Sequence, residues 1–315
     1  MRAAVVQRYG PPEVVRMAEV PRPEPGRGEV LVRVRSVAVT SADARIRAAR
    51  FPRGFGVLAR LAFGVRRPRR SVLGSAFAGT VEALGPRVDG VAIGDDVCGM
   101  TGISMGAHAE YLTLAAAKAV PVPPTVGHDE AAALLFGGST ALHFIRDKAD
   151  VGPGTTVLVV GASGAVGSSA VQIARHLGAT VTGVCSGANA DLVTRLGADR
   201  VIDHTRTDLA DVSDRFDVVL DTVGTVSIRS GRRLLAPGGR LLLAVAGLGE
   251  TLRARGDVVA GPAKERVEDF AHLLDLAASG HLDPVIDDVL DLDDVVRAHQ
   301  RVDTGRKVGN LVLRP

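Results

Sequence analysis

The sequence predicts an α/β protein in which a doubly wound parallel sheet sits beside a β-rich region. Three observations predict it. From Thr156 onward, short apolar runs alternate with amphipathic stretches, the pattern of a parallel sheet covered by helices on both faces. The first of these runs leads directly into a glycine-spaced turn. The first 120 residues instead carry alternating or apolar runs separated by turn clusters.

Composition sets outer limits. A chain of 315 residues can bury about three quarters of its unfolded surface, enough for two cores. With 46% hydrophobic and 23% charged residues it is not a disordered chain. Aromatics are 3% and Trp is absent, which argues against a carbohydrate cleft or a base-stacking surface. The net charge is only +3. Two cysteines, Cys98 and Cys185, exclude a disulfide framework and a multi-cysteine zinc site. The start, Met1–Gly10, lacks a signal-peptide core, and no uncharged apolar run reaches the ~20 residues that span a bilayer. The expectation is a cytoplasmic protein with no stable membrane insertion.

Along the first part, strands are expected at Ala3–Gln7, Val30–Val37, Ala78–Leu84, Asp96–Met100 and Ala109–Leu114. Between Arg50 and Arg70 lie seven arginines and no acid, around the apolar segment Gly54–Val65. This stretch reads either as a basic lid whose centre lies against quinone, lipid or a partner, or as a solvated arginine-rich insert; the second is favoured. Nucleic acid is not an expected partner, because no RNA motif or stacking aromatic accompanies the charge.

After Pro121–Pro124 the character changes. Asp129–Ala149 reads as helix, Thr156–Val160 as strand and Ala165–Leu177 as helix. Strands follow at Thr180–Cys185, Arg200–Asp203, Phe216–Asp221 and Arg240–Ala246, with helices at Ala190–Leu196 and Val226–Leu235. Asp257–Ala260 adds an edge strand. Lys264–Ser279 and Asp293–Val302 read as helices, and Lys307–Leu313 as the last strand. The expected division is 1–122 and 262–315 for a β-rich domain made from both chain ends, with 123–261 between them.

The strongest local signal is Val157-Leu-Val-Val-Gly161-Ala-Ser163-Gly164-Ala165-Val166-Gly167. It follows an apolar strand and opens an amphipathic helix, the context that gives a glycine triplet meaning. Gly161 permits the tight turn, Gly164 lets backbone approach a pyrophosphate, and Gly167 lets the helix pack on the sheet. The helix start then offers free N–H groups and a positive dipole end to phosphate. A nucleophile elbow needs G-x-S-x-G and fails at Ala165; Ser163 reads as a loop donor near phosphate. The end of the second strand carries no acid before Asp191, where an NAD site usually has one. Ser186 and Asn189 instead offer donors to a 2′-phosphate, so NADP(H) is favoured over NAD(H). The usual basic clamp is not evident there.

These features resemble the medium-chain dehydrogenase/reductases, in the zinc-independent quinone oxidoreductase branch. The resemblance runs through Tyr9-Gly-Pro-Pro-Glu-Val14, Pro25–Val34, Leu73-Gly-Ser-Ala-Phe-Ala-Gly79, Gly94–Gly99, Gly106-Ala-His-Ala-Glu-Tyr111, Glu130–Leu134, Gly138-Ser-Thr-Ala-Leu142 and Leu196–Asp203. It implies a Rossmann doubly wound sheet plus a β-rich, partly barrel-like catalytic domain, a cleft between them and a homodimer. Zinc enzymes of the larger family place Cys where this chain has Thr40, and a His-Glu pair where it has Ser75-Ala76. Those replacements cannot ligate Zn²⁺, so no metal is expected.

The resemblance also implies site residues. Thr40, Ser41 and Asp43 match a segment beside the nicotinamide, with Asn and Pro of the pattern replaced by Thr40 and Ser41. The two hydroxyls then position substrate or nicotinamide while Asp43 orders the loop; the plainer reading is that Asp43 caps the next helix. Thr140 matches a threonine that faces the cofactor, and Ala244, Val245 and Ala246 a backbone segment facing the nicotinamide. His204 matches a position that stacks on adenine, and Asn310 reaches the cofactor from the last strand. His108 and the two cysteines read as structural. The Tyr-x-x-x-Lys pair of short-chain reductases is absent, since Glu13 follows Tyr9 and Ala115 follows Tyr111.

The function expected is NADPH-dependent, metal-free hydride transfer to a quinone, an α,β-unsaturated carbonyl or a reactive aldehyde. Two alternatives stand beside it: a zinc-free alcohol or enoyl-thioester reductase, and a non-catalytic NADPH-binding sensor or structural protein.

Overall fold

The structure is a computed structural model that describes all 315 residues. In chain order, β1 (Arg2–Val6) pairs antiparallel with β2 (Val15–Glu19). The long β3 (Glu29–Ala38) leads into α1 (Ser41–Ala48) and α2 (Gly56–Phe63). Then come β4 (Ala76–Leu84), β5 (Asp96–Met100), β6 (Tyr111–Ala115), β7 (Val120–Pro121) and α3 (His128–Leu142). The alternating part is β8 (Thr156–Val160), α4 (Ala165–His176), β9 (Thr180–Cys185), α5 (Ala190–Arg195), β10 (Arg200–Asp203) and β11 (Phe216–Asp221). It continues with α6 (Ile228–Arg232), β12 (Leu235–Leu243), α7 (Leu248–Arg253) and β13 (Val258–Ala260). The chain ends with α8 (Val267–Ala278), β14 (Ile286–Asp291), α9 (Val295–Asp303) and β15 (Asn310–Arg314). No helix is long and apolar enough to cross a membrane.

Residues 156–260 build a six-stranded, all-parallel sheet in the order β10-β9-β8-β11-β12-β13. Its order reverses between β8 and β11, and a crevice opens at such a point beyond the strand ends. The strands alternate between two cores because successive side chains point to opposite faces. Val157 and Val159 enter one cluster with Leu273 and Leu276 of α8, whereas Leu158 and Val160 enter another with Phe216 and Leu241. A seven-stranded sheet takes strands from both chain ends, in the order β14-β15-β3-β4-β5-β7 with β6 also on β3. There Val312 pairs with Ala38, and Leu313 with Val37. A third cluster joins the halves: Ala76, Cys98 and Met100 meet Ala131 and Leu135 of α3 and Phe270 of α8.

Several elements depart from the sequence expectation. The expected helix at 226–235 shrinks to α6, because Leu235 already pairs with Phe216 across a bulge and Pro237 and Gly238 follow. The strand β14 has no apolar alternation; its acids Asp287 and Asp288 are instead paired to Arg301 and Arg297 of α9. The apolar segment between the arginines forms α2. The long helix from His128 widens into a π turn at His143–Lys148.

Inside the β-rich half, Arg47 is fully buried and bonds Asp303 at 2.6 Å, while its Nε and Nη1 have no partner. Asp303 also holds Arg50 at 2.7 Å. Leaving buried N–H groups unpaired is costly, and removing one member of a buried pair costs about 3 kcal/mol when the other is stranded. Arg47→Met leaves Asp303 with Arg50 and is expected to keep or raise the melting temperature. Asp303→Ala strands Arg47 and is expected to cost about 3 kcal/mol in denaturant unfolding.

Candidate functional site: a glycine-lined crevice

The crevice is built on the turn between β8 and α4. Gly161 has φ +83°, and a Cβ there would lie 2.6 Å from both Thr222 Oγ1 and Val223 Cγ1. At Gly167 a Cβ would lie 2.1 Å from Gly161 O, so only glycine lets α4 pack this close. Gly164 differs: a Cβ there would have only Gly161 O within 4 Å, at 3.5 Å. That is an open cradle on the cleft side of the turn. The first intrahelical bond runs from Ser168 N–H to Gly164 O, which leaves Ala165, Val166 and Gly167 N–H groups free of helix partners.

Other segments converge here. Gly137 of α3 lies so near Ala165 that a Cβ would be 2.5 Å from its carbonyl oxygen. Thr140, one turn on, donates its hydroxyl to Phe136 O at 2.8 Å and keeps its lone pairs. From the other end of the chain, Gly309 N–H donates to Ser163 O at 2.7 Å. Asn189 Nδ2 donates to Ser163 Oγ at 3.0 Å, so Ser163 and Asn189 form one corner. Ser186 leaves its side chain unbonded beside it. A cavity of about 900 Å³ opens along this wall, lined among others by Gly161, Gly164, Cys185, His204, Arg206 and Lys307. The carboxylate of Asp203, next to Gly187, is taken up by Thr205 N–H and Oγ1 at 2.9 and 2.7 Å.

Two residues missed in the sequence shape this crevice. The half-buried Lys307 donates to Gly309 O and enters no ion pair. The nearby Asp287 is held by Arg301 at 2.7 and 3.0 Å. Burial pulls the Lys307 pKa down to about 8, against the attraction of Asp287. Its only sequence signal is a lysine two residues before a glycine near the last strand. Asp221, fully buried at the end of β11, accepts N–H bonds from Val223, Gly224 and Val226 at 2.9, 2.9 and 2.7 Å. Burial outweighs those bonds and raises its pKa. It shapes the loop against which Val245 packs, and Ala244 N–H donates to its carbonyl oxygen at 3.0 Å. An acid closing an apolar strand was the visible signal.

On the β-rich side, Thr40 caps α1 and Asp43 closes a reciprocal capping box. The Thr40 hydroxyl donates to Asp43 at 2.6 Å, and Asp43 also accepts Thr40 N–H at 2.8 Å and Gly74 N–H at 3.1 Å. Thr40 therefore spends its proton on Asp43, the N3 member of the capping box. The Ser41 side chain makes no hydrogen bond within the chain and keeps a free hydroxyl. Asn310 is 6% exposed and donates one amide N–H to Val285 O at 3.1 Å, which ties it to the chain just before β14. His108 is buried, edge-on to His299 at 5.9 Å, and burial lowers its pKa. Burial pushes the thiols of Cys98 and Cys185 up to about 12 and about 11, which keeps them protonated and poorly nucleophilic. No three His, Cys, Asp or Glu side chains come together as a metal site.

A parallel sheet with a glycine turn at its switch point, joined to a β-rich half across a crevice, defines a dehydrogenase-type oxidoreductase. Residues 26–124 match the alcohol dehydrogenase GroES-like domain, and residues 196–313 the family described as zinc-binding dehydrogenase. The chain is 28% identical to a quinone oxidoreductase structure from Coxiella burnetii, with a TM-score of 0.90 over 100% of this chain and 99% of that one. It is 30% identical to mycobacterial Rv1454c complexed with NADPH, with a TM-score of 0.83 and both chains fully covered. Among sequences, 2-methylene-furan-3-one reductase of Solanum lycopersicum is 28% identical over all of this chain and 79% of that protein. The chain spans only 12% of the length of a phenolphthiocerol/phthiocerol polyketide synthase of Mycobacterium tuberculosis, which it matches at 31% identity over 77% of its own length. It belongs to the medium-chain dehydrogenase/reductase superfamily and is an oxidoreductase of that superfamily.

The two outer glycines separate folding from binding. Gly167→Ala pushes a methyl into Gly161 O and is expected to cost about 2 kcal/mol of stability. Gly164→Ala points into open space at φ −83° and is expected to change stability by less than about 0.5 kcal/mol in thermal and denaturant melts.

Proposed function

We propose that the protein is an NADPH-dependent, metal-independent reductase acting on a quinone, an α,β-unsaturated carbonyl or a reactive aldehyde. The observation that carries the reading is the open cradle at Gly164, faced by unpaired helix N–H groups and walled by a lysine with no carboxylate partner. Backbone N–H groups and an ammonium are what a pyrophosphate requires. Residues 123–261 then bind the nucleotide, and the two end segments carry the acceptor side.

The residues fit the dinucleotide in the following roles. The Ala165–Gly167 N–H groups and Lys307 hold phosphate oxygens. Ser186, with Asn189 and Ser163, lines the ribose corner with neutral polar groups, and Arg206, 3.7 Å from Asp203, stands at the cavity wall. Such a corner admits a 2′-phosphate, and the likeness to an NADPH-complexed structure supports the same choice. Thr140 and the backbone of Ala244–Ala246 flank the nicotinamide side, and His204 covers the adenine side. When bound, the reduced nicotinamide supplies a hydride.

The protein's own contribution is binding and orientation. Thr40, Ser75 and Ala76 offer no thiolate, imidazole or carboxylate, so the acceptor must be electrophilic without a Lewis acid. In a quinone or enone, hydride arrives at a conjugated carbon, the electron pair moves onto oxygen, and water supplies the balancing proton. Ser41 has the free hydroxyl to meet that oxygen. Reduction of an enoyl thioester is a second reading, favoured by the 31% identity to a polyketide synthase.

NADPH oxidation is expected with quinones or alkenals and to be unchanged by chelators; bound zinc required for turnover overturns the reading. Turnover of enoyl thioesters alone favours the second reading, and dinucleotide binding without turnover on any acceptor favours a sensor. In fluorescence titrations Gly164→Ala is expected to weaken NADPH binding at least tenfold while the melting curve holds, and Lys307→Met by about tenfold at pH 7. The ammonium is present below its pKa of about 8 and lost above it. Wild-type affinity is therefore expected to fall as pH rises from about 7 to about 9, and this dependence to flatten in Lys307→Met.

A further inference from the structure

We propose that α2 and the arginines around it form a peripheral docking surface for an anionic lipid bilayer. The helix is turned inside out relative to an ordinary surface helix. None of its eight residues is buried. Val57, Leu58 and Leu61, with Val65 just beyond, expose 74%, 55%, 55% and 57% of their surface. Their spacing of three and four residues puts Val57 and Leu58 on the same side as Leu61. An apolar stripe of this kind facing solvent calls for a covering phase.

The backbone beneath the stripe is held in place. Tyr9 Oη donates to Gly64 O at 2.6 Å, and Phe51 stacks on Phe63 at 5.9 Å. Arg60 lies 5.5 Å over the Tyr9 ring and donates to Val65 O at 3.0 Å. Arg69 N–H closes the segment onto Phe63 O at 2.7 Å. The outward face is thus part of the fold.

Charge names the partner. Of the seven arginines from Arg50 to Arg70, only Arg50 has an acidic partner, Asp303. Arg53, Arg60, Arg66, Arg67, Arg69 and Arg70 enter no ion pair, and the stretch holds no acid. Apolar side chains among uncompensated cations match a surface that is anionic at its headgroups and apolar beneath, and each arginine near such a surface adds attraction. A second copy docked through the same face would set six unpaired arginines against six. The stripe is short, so docking is reversible and salt-sensitive.

The segment also adjoins the start of α7. Leu248 N–H donates to Arg53 O at 2.8 Å, and a Cβ on Gly54 would lie 2.8 Å from Leu248 Cβ. The segment therefore abuts the turn that follows Ala244–Ala246. A bilayer seated on α2 lies next to that turn, a link to lipid-soluble acceptors that rests on the function proposed above; the docking itself does not.

The test is co-sedimentation of the full chain with vesicles of phosphatidylcholine alone or with about one third phosphatidylglycerol, at low and at about 0.5 M salt. Wild type is expected to pellet with the anionic vesicles at low salt, at least tenfold less with neutral ones, and to be released by salt. Leu58→Glu/Leu61→Glu and, separately, Arg66→Gln/Arg67→Gln are expected to lower binding at least tenfold with unchanged melting curves. Leu58→Ser/Leu61→Ser replaces the glutamate pair if that one melts early. Wild type left in the supernatant overturns the proposal, as does equal pelleting of all the variants. So does a Leu58→Glu/Leu61→Glu variant of half the wild-type solution mass, which assigns the face to a second copy. Quinone reduction in vesicle-free buffer reads the proposed activity separately, so either idea can fail alone.

Discussion

Close approach of backbone to backbone at the β8–α4 turn is the constraint on which the rest depends. Gly167 lets α4 come down on Gly161, Gly137 lets α3 pass against the start of α4, and Gly309 docks on Ser163. The contacts at Gly167 and Gly137 leave no room for a Cβ at either helix position. The turn therefore joins the parallel sheet, the bridging helix α3 and the last strand at one point. The open space at Gly164 is what remains on the cleft side once those contacts are made.

The β-rich half meets a different demand. It closes a sheet from two chain ends, and buried polar groups hold that closure. Asp43 accepts Thr40 N–H, Thr40 Oγ1 and Gly74 N–H, so one carboxylate ties the start of α1 to the loop before β4. Arg47 reaches Asp303 across the same interior. These bonds show that Thr40 and Asp43 act first on the backbone. The Ser41 hydroxyl beside them has no partner in the chain. Asp221 does the same service in the other half, where it shapes the loop beside Val245. Each half thus has one buried carboxylate that organises a loop through backbone N–H groups.

What the sequence determined by itself is local and periodic. The strands Thr156–Val160, Thr180–Cys185, Arg200–Asp203 and Phe216–Asp221 agree with the structure to the residue, because each is a short β-branched or apolar stretch bounded by turns. The packing roles of Gly161 and Gly167 were legible because each follows from a missing Cβ at a known offset from a strand. The tertiary structure decided what depends on partners distant in the chain. The strand β14 exists because arginines of α9 neutralise its aspartates, and no window around Ile286 contains that fact. Asn310 turned inward to Val285 O, and Lys307, three residues away, entered the crevice. Whether the apolar centre of the arginine segment would be buried or exposed was likewise open until Tyr9 and Phe51 were seen to hold its backbone. Periodicity reports which way a side chain points along its own element; only packing against the rest of the chain decides what it meets there.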